Sequence, residues 1–478
     1  MNYKAIGYIL GLIMMIEAAL MAIPIGTSLF YGDGCWGAFL SVSVVCLLIG
    51  GMLYRSLKTS GNYFAKEGFV IVTFSWIIMS LFGAIPFVLS GNIPSYVDAL
   101  FETISGFTTT GATVVSDVEA LAPSVLVWRS LTHWIGGMGI LVFMLAILPL
   151  TGGYNVHLMR VESPGPQVDK LVPKIRETAR ILYSIYIIIT LLEMVILVMG
   201  GMSFFDSFNI SLATAGTGGF GVLNDSCGSY SVFCQTVIGV FMVLFGVNFN
   251  VYYLIYVRKY RQIFKLQEVR LYLLIIALST GLIAYNAREF FSGPAEAVKE
   301  AFFQVASIIT TTGFSTTDFD LWPSLSKTIL VALMFIGACA SSTGGGMKVS
   351  RVIIALKLIR REVLHFIHPR SVNSLKVDGR IVDDEVKASV GVYFMLYGLL
   401  FAGSVLLVSI NGYDFTSNFT AVAATINNIG PGLESVGPVC NYGGFSILSK
   451  IVLMVDMLAG RLELFPILVA FSPRVWKR

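Results

Sequence analysis

Residues 307–318 read SIITTTGFSTTD, with threonines at 310–312 and 316–317 around Gly313. Related runs stand before three other glycines. Thr108-Thr109-Thr110 precedes Gly111, Ala215-Gly216-Thr217 precedes Gly218, and Asn427-Asn428-Ile429 precedes Gly430. These residues offer hydroxyl and backbone carbonyl oxygens and no fixed charge. Oxygen dipoles of this kind replace the hydration shell of a permeating cation in a carbonyl-lined filter. Glycine at each turn permits backbone angles that free the carbonyls to point at such an ion.

Two further features carry charge or weakness into apolar sequence. GACASSTGGGMK spans 337–348. Each of Gly344, Gly345 and Gly346 weakens a helix by about 1 kcal/mol relative to alanine, so the span breaks there. One reading is a kinked helix at a packing site. The other is an intramembrane loop beneath the oxygen-rich turns that obstructs a path and moves on activation, with Lys348 at its inner mouth. Arg461 lies in LMVDMLAGRLELFPILV. A charge inside a membrane helix faces protein or water and has a functional role by default; an ion pair with Asp456 or Glu463 is the structural alternative. Arg129, in WRSLTHWIGGMGI, reads as a capping or pairing residue near the outer end of its span.

Other chemistry is sparse. The six cysteines have no metal-ligand spacing; Cys227 and Cys234 flank a short polar loop and are either paired or free thiols. His365 and His368, beside Arg361 and Arg370, read as a solvated basic face. No GxSxG or HExxH motif points to an enzyme. The formal charge of +4 is small and scattered, which argues against nucleic acid. No cofactor of the chain's own is expected.

Helices must position these residues. The chain is 56% hydrophobic and 13% charged, too apolar to cover a soluble surface. Apolar windows fall at 5–24, 35–54, 68–90, 124–150, 180–201, 231–257, 268–286, 325–358, 386–410 and 445–472. The first is read as a retained span. The basic connections are Arg55, Lys58 and Lys66, then Arg160, Lys170, Lys174, Arg176 and Arg180, then Arg258, Lys259, Arg261, Lys265 and Arg270, then Lys348 to Lys387, then Arg474, Lys477 and Arg478. Alternate crossing puts all of them on one side. Asp33, Asp117, Glu119, Asp225, Asp318, Asp320 and Glu434 fall on the other. Positive residues mark the cytoplasmic side, so both termini are cytoplasmic. The same basic residues suit contact with lipid headgroups.

Four outer segments carry the glycine runs: YVDALFETISGFTTTGATV, FFDSFNISLATAGTGGFGV, VKEAFFQVASIITTTGFST and DFTSNFTAVAATINNIGPGL. With Gly111, Gly218, Gly313 and Gly430 in register, Phe101, Phe208 and Phe303 align and Phe419 is one place out. Each segment opens with a stretch too short to span a bilayer. The expected fold is an all-α integral membrane protein with about ten transmembrane helices. One reading of the four outer segments is re-entrant loops that merely plug gaps; irregular backbone at that depth must line protein or a water-filled path, so the expected arrangement is four re-entrant pore helices, pseudo-fourfold around one ion pore. The divisions are a two-helix extension over 1–60 and units over 61–165, 166–265, 266–375 (with the broken second helix) and 376–478.

TTTGATV, GTGGFG, TTTGFSTTD, NNIGPGL, WRSLTHWIGGMGI and GRLELF, in this order, resemble the Trk/Ktr/HKT superfamily of potassium transporters, nearest its TrkH/TrkG branch. The resemblance implies potassium-binding filter residues Thr109, Thr110, Gly111, Gly216, Thr217, Gly218, Thr311, Thr312, Gly313, Asn428, Ile429 and Gly430, acting mainly through backbone carbonyls. With glycine at all four turns it implies potassium rather than sodium. It makes 337–348 the gate and puts Arg461 beneath the filter beside it. It implies a homodimer and a cytosolic nucleotide-binding regulator of the TrkA type; no GxGxxG follows a soluble strand here, so nucleotide control comes in trans. The setting is the cytoplasmic (inner) membrane of a bacterium. The alternative function is a sodium- or proton-coupled secondary transporter of a small solute, which also uses broken helices.

Overall fold

The computed structural model describes residues 1–57, 65–147, 175–370 and 374–476. Lys58, Arg160, Lys170, Lys174, Lys477 and Arg478 lie outside the described residues, as do the unit boundaries at 60/61 and 165/166. The regular structure described is helical apart from one small hairpin, Lys376–Val377 against Arg380–Ile381.

An extension of α1 (Tyr3–Leu20), α2 (Ala22–Tyr31) and α3 (Trp36–Ser56) precedes the first unit. That unit holds α4 (Ala65–Leu89), α5 (Tyr96–Phe107) and α6 (Pro123–Ile147). The second holds α7 (Ile175–Met199), α8 (Phe204–Gly216), α9 (Val232–Gly246) and α10 (Asn250–Tyr256). The third holds α11 (Gln267–Asn286), α12 (Pro294–Ile309), α13 (Ser324–Met334) and α14 (Val349–Ile367). The fourth holds α15 (Asp384–Val408), α16 (Phe415–Ile426), α17 (Ile447–Arg461) and α18 (Phe465–Phe471).

Among the described residues, six stretches are continuous and apolar enough to cross a membrane: Tyr3–Tyr31, Trp36–Ser56, Glu67–Leu89, Ile181–Met199, Gln267–Asn286 and Asp384–Asn411. The fourth window is α6 as far as Ile147. The remaining three windows are broken, although the sequence pointed to a break only in the eighth. In the sixth, α9 and α10 are bent by 93°. There Asn248 Oδ1 accepts from Asn250 N–H at 2.9 Å and starts a new helix in a new direction. In the tenth, Glu463 and Leu464 both have positive φ, and Pro466 opens the next helix.

The burial pattern inverts that of a soluble protein. Leu48 and Met52 on α3 and Leu399 and Leu406 on α15 are exposed, an apolar outer face suited to lipid. The hydroxyl-rich short helices α5, α8, α12 and α16 are the interior, and Thr103, Ser207, Ser307 and Thr425 are buried. Local chemistry starts three of these helices. Ser95, Ser203 and Asp414 accept from the N–H groups of Asp98, Asp206 and Ser417 at 3.4, 3.0 and 3.0 Å. The other, α12, begins at Pro294, where a missing N–H costs nothing.

Each unit passes to the next in the same way. The second helix of one unit packs on the short helix of the following one: α6 on α8, α9 on α12, α13 on α16, and α17 back on α5. The four units therefore close into a ring.

Candidate functional site

All four short helices end alike. Thr109, Thr217, Thr311 and Asn428 have φ of 56, 54, 58 and 55°. Their N–H groups donate back to Gly106, Thr214, Ile308 and Thr425 at 2.9–3.1 Å. The next N–H, from Thr110, Gly218, Thr312 or Ile429, reaches five residues back, to Ser105, Ala213, Ser307 or Ala424, at 2.8–2.9 Å. This pair of bonds is the Schellman closure of a helix. Glycine normally takes the left-handed position, which costs other residues roughly 1–2 kcal/mol. Here four non-glycine residues hold it, a repeated strain of the kind that clusters at functional sites.

The glycine follows two residues after each left-handed residue. These are Gly111, Gly219, Gly313 and Gly430, with φ of 79, 81, 86 and 98°. The sequence register had placed Gly218 at this point in the second unit; the structure moves it by one. Gly218 occupies the place of Thr110, Thr312 and Ile429, and Gly216 occupies that of Thr108 at the helix end. The corrected register puts Phe208 level with Phe419, so units two and four pair, as units one and three do.

The glycines leave no room for a side chain. A Cβ on Gly111 would lie 2.0 Å from Gly218 O, one on Gly219 2.0 Å from Thr312 O, one on Gly313 2.1 Å from Ile429 O, and one on Gly430 2.7 Å from Thr110 O. Four carbonyl oxygens, from Thr110, Gly218, Thr312 and Ile429, thus form a closed ring, each against the glycine of its neighbour. Outside it, hydrogen bonds join the loops in the same cyclic order. Val118 N–H donates to Asn224 Oδ1 (2.8 Å), Cys227 N–H to Ser315 O (2.9 Å), Glu434 N–H to Asp320 Oδ2 (2.8 Å) and Tyr442 N–H to Thr113 O (2.8 Å). All four glycines line a cavity of about 110 Å³ there, together with Ser315 and Cys440.

The predicted filter residues are otherwise brought together, and all are buried except Gly111 and Gly313, which are half-buried. Thr108 and Thr110 share a hydroxyl bond of 2.8 Å, and Thr310 and Thr312 one of 2.7 Å, so those hydroxyls brace the turns. Thr217 Oγ1 donates to Gly216 O. Asn428 Nδ2 donates to Thr110 Oγ1 (3.0 Å) and Met457 O (2.9 Å), joining the fourth unit to the first. Thr109 Oγ1 and Asn428 Oδ1 have no hydrogen-bond partner among the described residues. Such orphaned oxygens are expensive in a buried site unless an ion or water meets them.

Directly beneath lies the break from Phe335 to Lys348. Gly345 N–H donates to Thr311 Oγ1 at 2.6 Å. A Cβ on Gly344 would stand 2.9 Å from Thr310 O, and one on Gly345 2.7 Å from Asn427 O. Lys348 is buried with φ of 66°, and its ammonium donates to Gly344 O. Arg461 is 3% exposed. It pairs with neither Asp456 nor Glu463, the structural alternative. Its guanidinium donates to Thr343 O in the loop and to Gly136 O on α6, both at 2.7 Å. Glu463 pairs instead with Arg351, and Asp456 accepts from Ser404 at 2.7 Å.

Comparison with known proteins gives this geometry a family. The profile described as TrkH, cation transport protein, matches residues 37–478. The chain belongs to the TrkH family. The Trk system potassium uptake protein TrkH of Escherichia coli (strain K12) is 36% identical over 487 residues, covering all of both chains. The TrkG protein of the same strain is 33% identical over all of this chain and 99% of its own. The crystal structure of the potassium transporter TrkH from Vibrio parahaemolyticus superposes with a TM-score of 0.90 at 34% identity, covering 100% of each chain. The relatives are named as transport proteins, and the shared fold is a helical membrane protein.

Within this TrkH-family fold, several supporting residues escaped the sequence reading. His133 Nε2 accepts from Phe220 N–H at 3.2 Å, so its Nδ1 carries the proton and donates to Gly106 O at 2.8 Å. The imidazole thereby joins the turns of the first two units. Arg129, one helical turn before it, is the pairing residue expected, with Glu102 as its partner at 2.8 Å. Glu102 also accepts from Thr113 Oγ1 (2.9 Å) and Val114 N–H (3.0 Å), which fixes the chain leaving Gly111. Tyr442 donates to Gly430 O at 2.7 Å. The i, i+4 spacing of Arg129 and His133 was a signal, since it sets both on one helix face. Cys227 and Cys234 are free and buried, with no disulfide between them.

Proposed function

We propose that the chain takes up potassium across the bacterial cytoplasmic membrane, with both termini inside, along the axis of its four units. The observation that carries this reading is the closed ring of carbonyl oxygens from Thr110, Gly218, Thr312 and Ile429. A ring of uncharged oxygens replaces a cation's hydration shell without holding it too tightly to leave. The four helix C-termini point their partial negative charge to the same place. Thr109, Thr217, Thr311 and Asn428 supply the layer beneath, and Gly111, Gly219, Gly313 and Gly430 give the backbone room. Ile429 serves through its carbonyl, so its apolar side chain is no obstacle. Potassium, the substrate, is preferred over sodium. The relatives named above are potassium uptake proteins, which supports that choice.

The loop at 337–348 acts as the gate, with Gly344, Gly345 and Gly346 giving it mobility and Lys348 tying it closed. Arg461 holds the loop and sets a fixed positive charge in the ion's path, a barrier that weakens where water enters. The active form is a homodimer with one path per subunit, regulated by a cytosolic TrkA-type nucleotide-binding protein.

The test is growth of a bacterial strain without its own potassium uptake systems. Cells expressing the chain with a cognate regulator grow at limiting potassium. The Gly313→Asp variant, made at wild-type levels in the membrane, does not support growth. Equal growth with that variant would refute the filter reading.

A further inference from the structure

Glu268 is a carboxylate in the first turn of α11, 8% exposed. Its partners are amides. Oε1 accepts from Ala340 N–H at 2.7 Å and from Ser350 N–H at 3.2 Å, while Oε2 accepts from Asn248 Nδ2 at 3.3 Å. Ala340 and Ser350 flank the 341–348 stretch of the loop. Asn248 is the residue at the bend between α9 and α10. A single side chain therefore reaches the loop at Ala340, the first turn of α14 just beyond the loop, and the break in the preceding unit.

Backbone bonds run beside it. Cys339 N–H donates to Gly246 O (3.1 Å) and Phe249 N–H to Ser341 O (3.0 Å). Thr343 Oγ1 donates to Phe245 O at 3.3 Å. Ser350 N–H is among the first-turn donors of α14, which have no partner inside their own helix. Bonds from such donors to a carboxylate are charge-assisted and about twice as strong as neutral ones. The backbone bonds alone would close the seam. Among the described residues, the carboxylate is the link that touches the α9–α10 bend, the loop and the start of α14 at one point.

We propose that Glu268 is a positioning residue that clamps the 337–348 loop in its obstructing place and couples it to the α9–α10 bend. This rests on the gate reading above. The clamp makes α10, which leads into the basic connection at 258–270, the arm through which a cytoplasmic partner shifts the loop.

The experiment uses the purified full-length chain in sealed lipid vesicles. N-ethylmaleimide labelling is read by mass spectrometry at Cys339, inside the loop, and at Cys46, buried on α3, as an internal control. Rb⁺ uptake is read in parallel. Glu268→Ala raises the Cys339/Cys46 labelling ratio roughly tenfold, the shift expected when a charged acceptor is lost from a two-state element. Basal Rb⁺ uptake rises with it. Glu268→Gln keeps one acceptor oxygen and stays within about threefold of wild type. An unchanged ratio in folded Glu268→Ala overturns the clamp. Should that variant fail to fold, Asn248→Ala removes the contact with the bend together with the bond that Asn250 N–H donates to it; it raises the ratio about threefold, and no rise overturns the proposal. A raised ratio with no Rb⁺ uptake in any protein supports the clamp and refutes the transport reading. Normal uptake with an unchanged ratio does the reverse.

Discussion

Gly219→Ala perturbs the ring by one methyl group. The added Cβ lies 2.0 Å from Thr312 O and 3.1 Å from Gly313 C. Cβ contacts under 3.0 Å essentially never occur, so the two groups must part by about 1 Å. Both are main chain, and neither can rotate aside. The left-handed backbone at this position costs alanine roughly 1–2 kcal/mol in addition. If the strain is relieved by moving the Thr312 carbonyl, the ring loses one of its four oxygens from the position proposed for the ion. A loss of 1–2 kcal/mol corresponds to roughly five- to thirtyfold in rate. The assay is Rb⁺ uptake into vesicles with sodium as competitor, on protein shown to be monodisperse. Uptake falls at least about fivefold and sodium competes better than in the wild type. Gly218→Ala behaves differently, because its Cβ meets His133 Cγ at 2.2 Å, a side chain rather than the ring. Because that imidazole joins the turns of the first two units, thermal stability falls along with uptake. A folded Gly219→Ala protein with unchanged uptake and unchanged preference would refute both the register and the ring.

Arg461→Gln loses charge-assisted bonds to Thr343 O and Gly136 O, each worth about 1.5–3 kcal/mol; Rb⁺ uptake without a cytosolic partner rises about tenfold, measured in the same vesicles. Arg129→Ala leaves Glu102 charged and buried, so stability falls by about 3–5 kcal/mol, seen as a lower Tm in a thermal scan while Glu102→Gln/Arg129→Met together recovers part of the loss. Burial, and then the Asp318 and Asp320 carboxylates, push the Cys440 thiol above its ordinary value of 9.0. Since the thiolate is the nucleophile, labelling of Cys440 by an external maleimide keeps accelerating as pH rises past 9, and a plateau below that pH contradicts the placement.

The repeated unit was legible because its signals are compositional. Threonine and glycine in an apolar chain, at four outer positions, point to the turns. The cyclic closure followed from four similar units, and the loop from three adjacent glycines. What the sequence could not decide was which peptide turns left-handed. GTGGFG offers two consecutive glycines, and Phe208 favoured the wrong one because helix-face spacing does not report the closing bonds of the helix. The bend after Gly246 was equally hidden. Val247 and Phe249 are apolar, and the break depends on partners nearly a hundred residues away, such as Cys339. Arg461 shows the same limit. Sequence neighbours suggested Asp456 or Glu463, whereas its true partners are carbonyls, which every residue carries and no sequence marks.

Selective potassium permeation through the carbonyl ring is the activity proposed for this chain. The direct measurement is the potential across sealed vesicles containing the purified chain, with potassium on one side and sodium on the other. A gated path lined by these oxygens gives a potential of the sign set by potassium, larger in Arg461→Gln and reduced in Gly219→Ala. No potential in either the wild type or Arg461→Gln, or one of the sign set by sodium, would contradict the account.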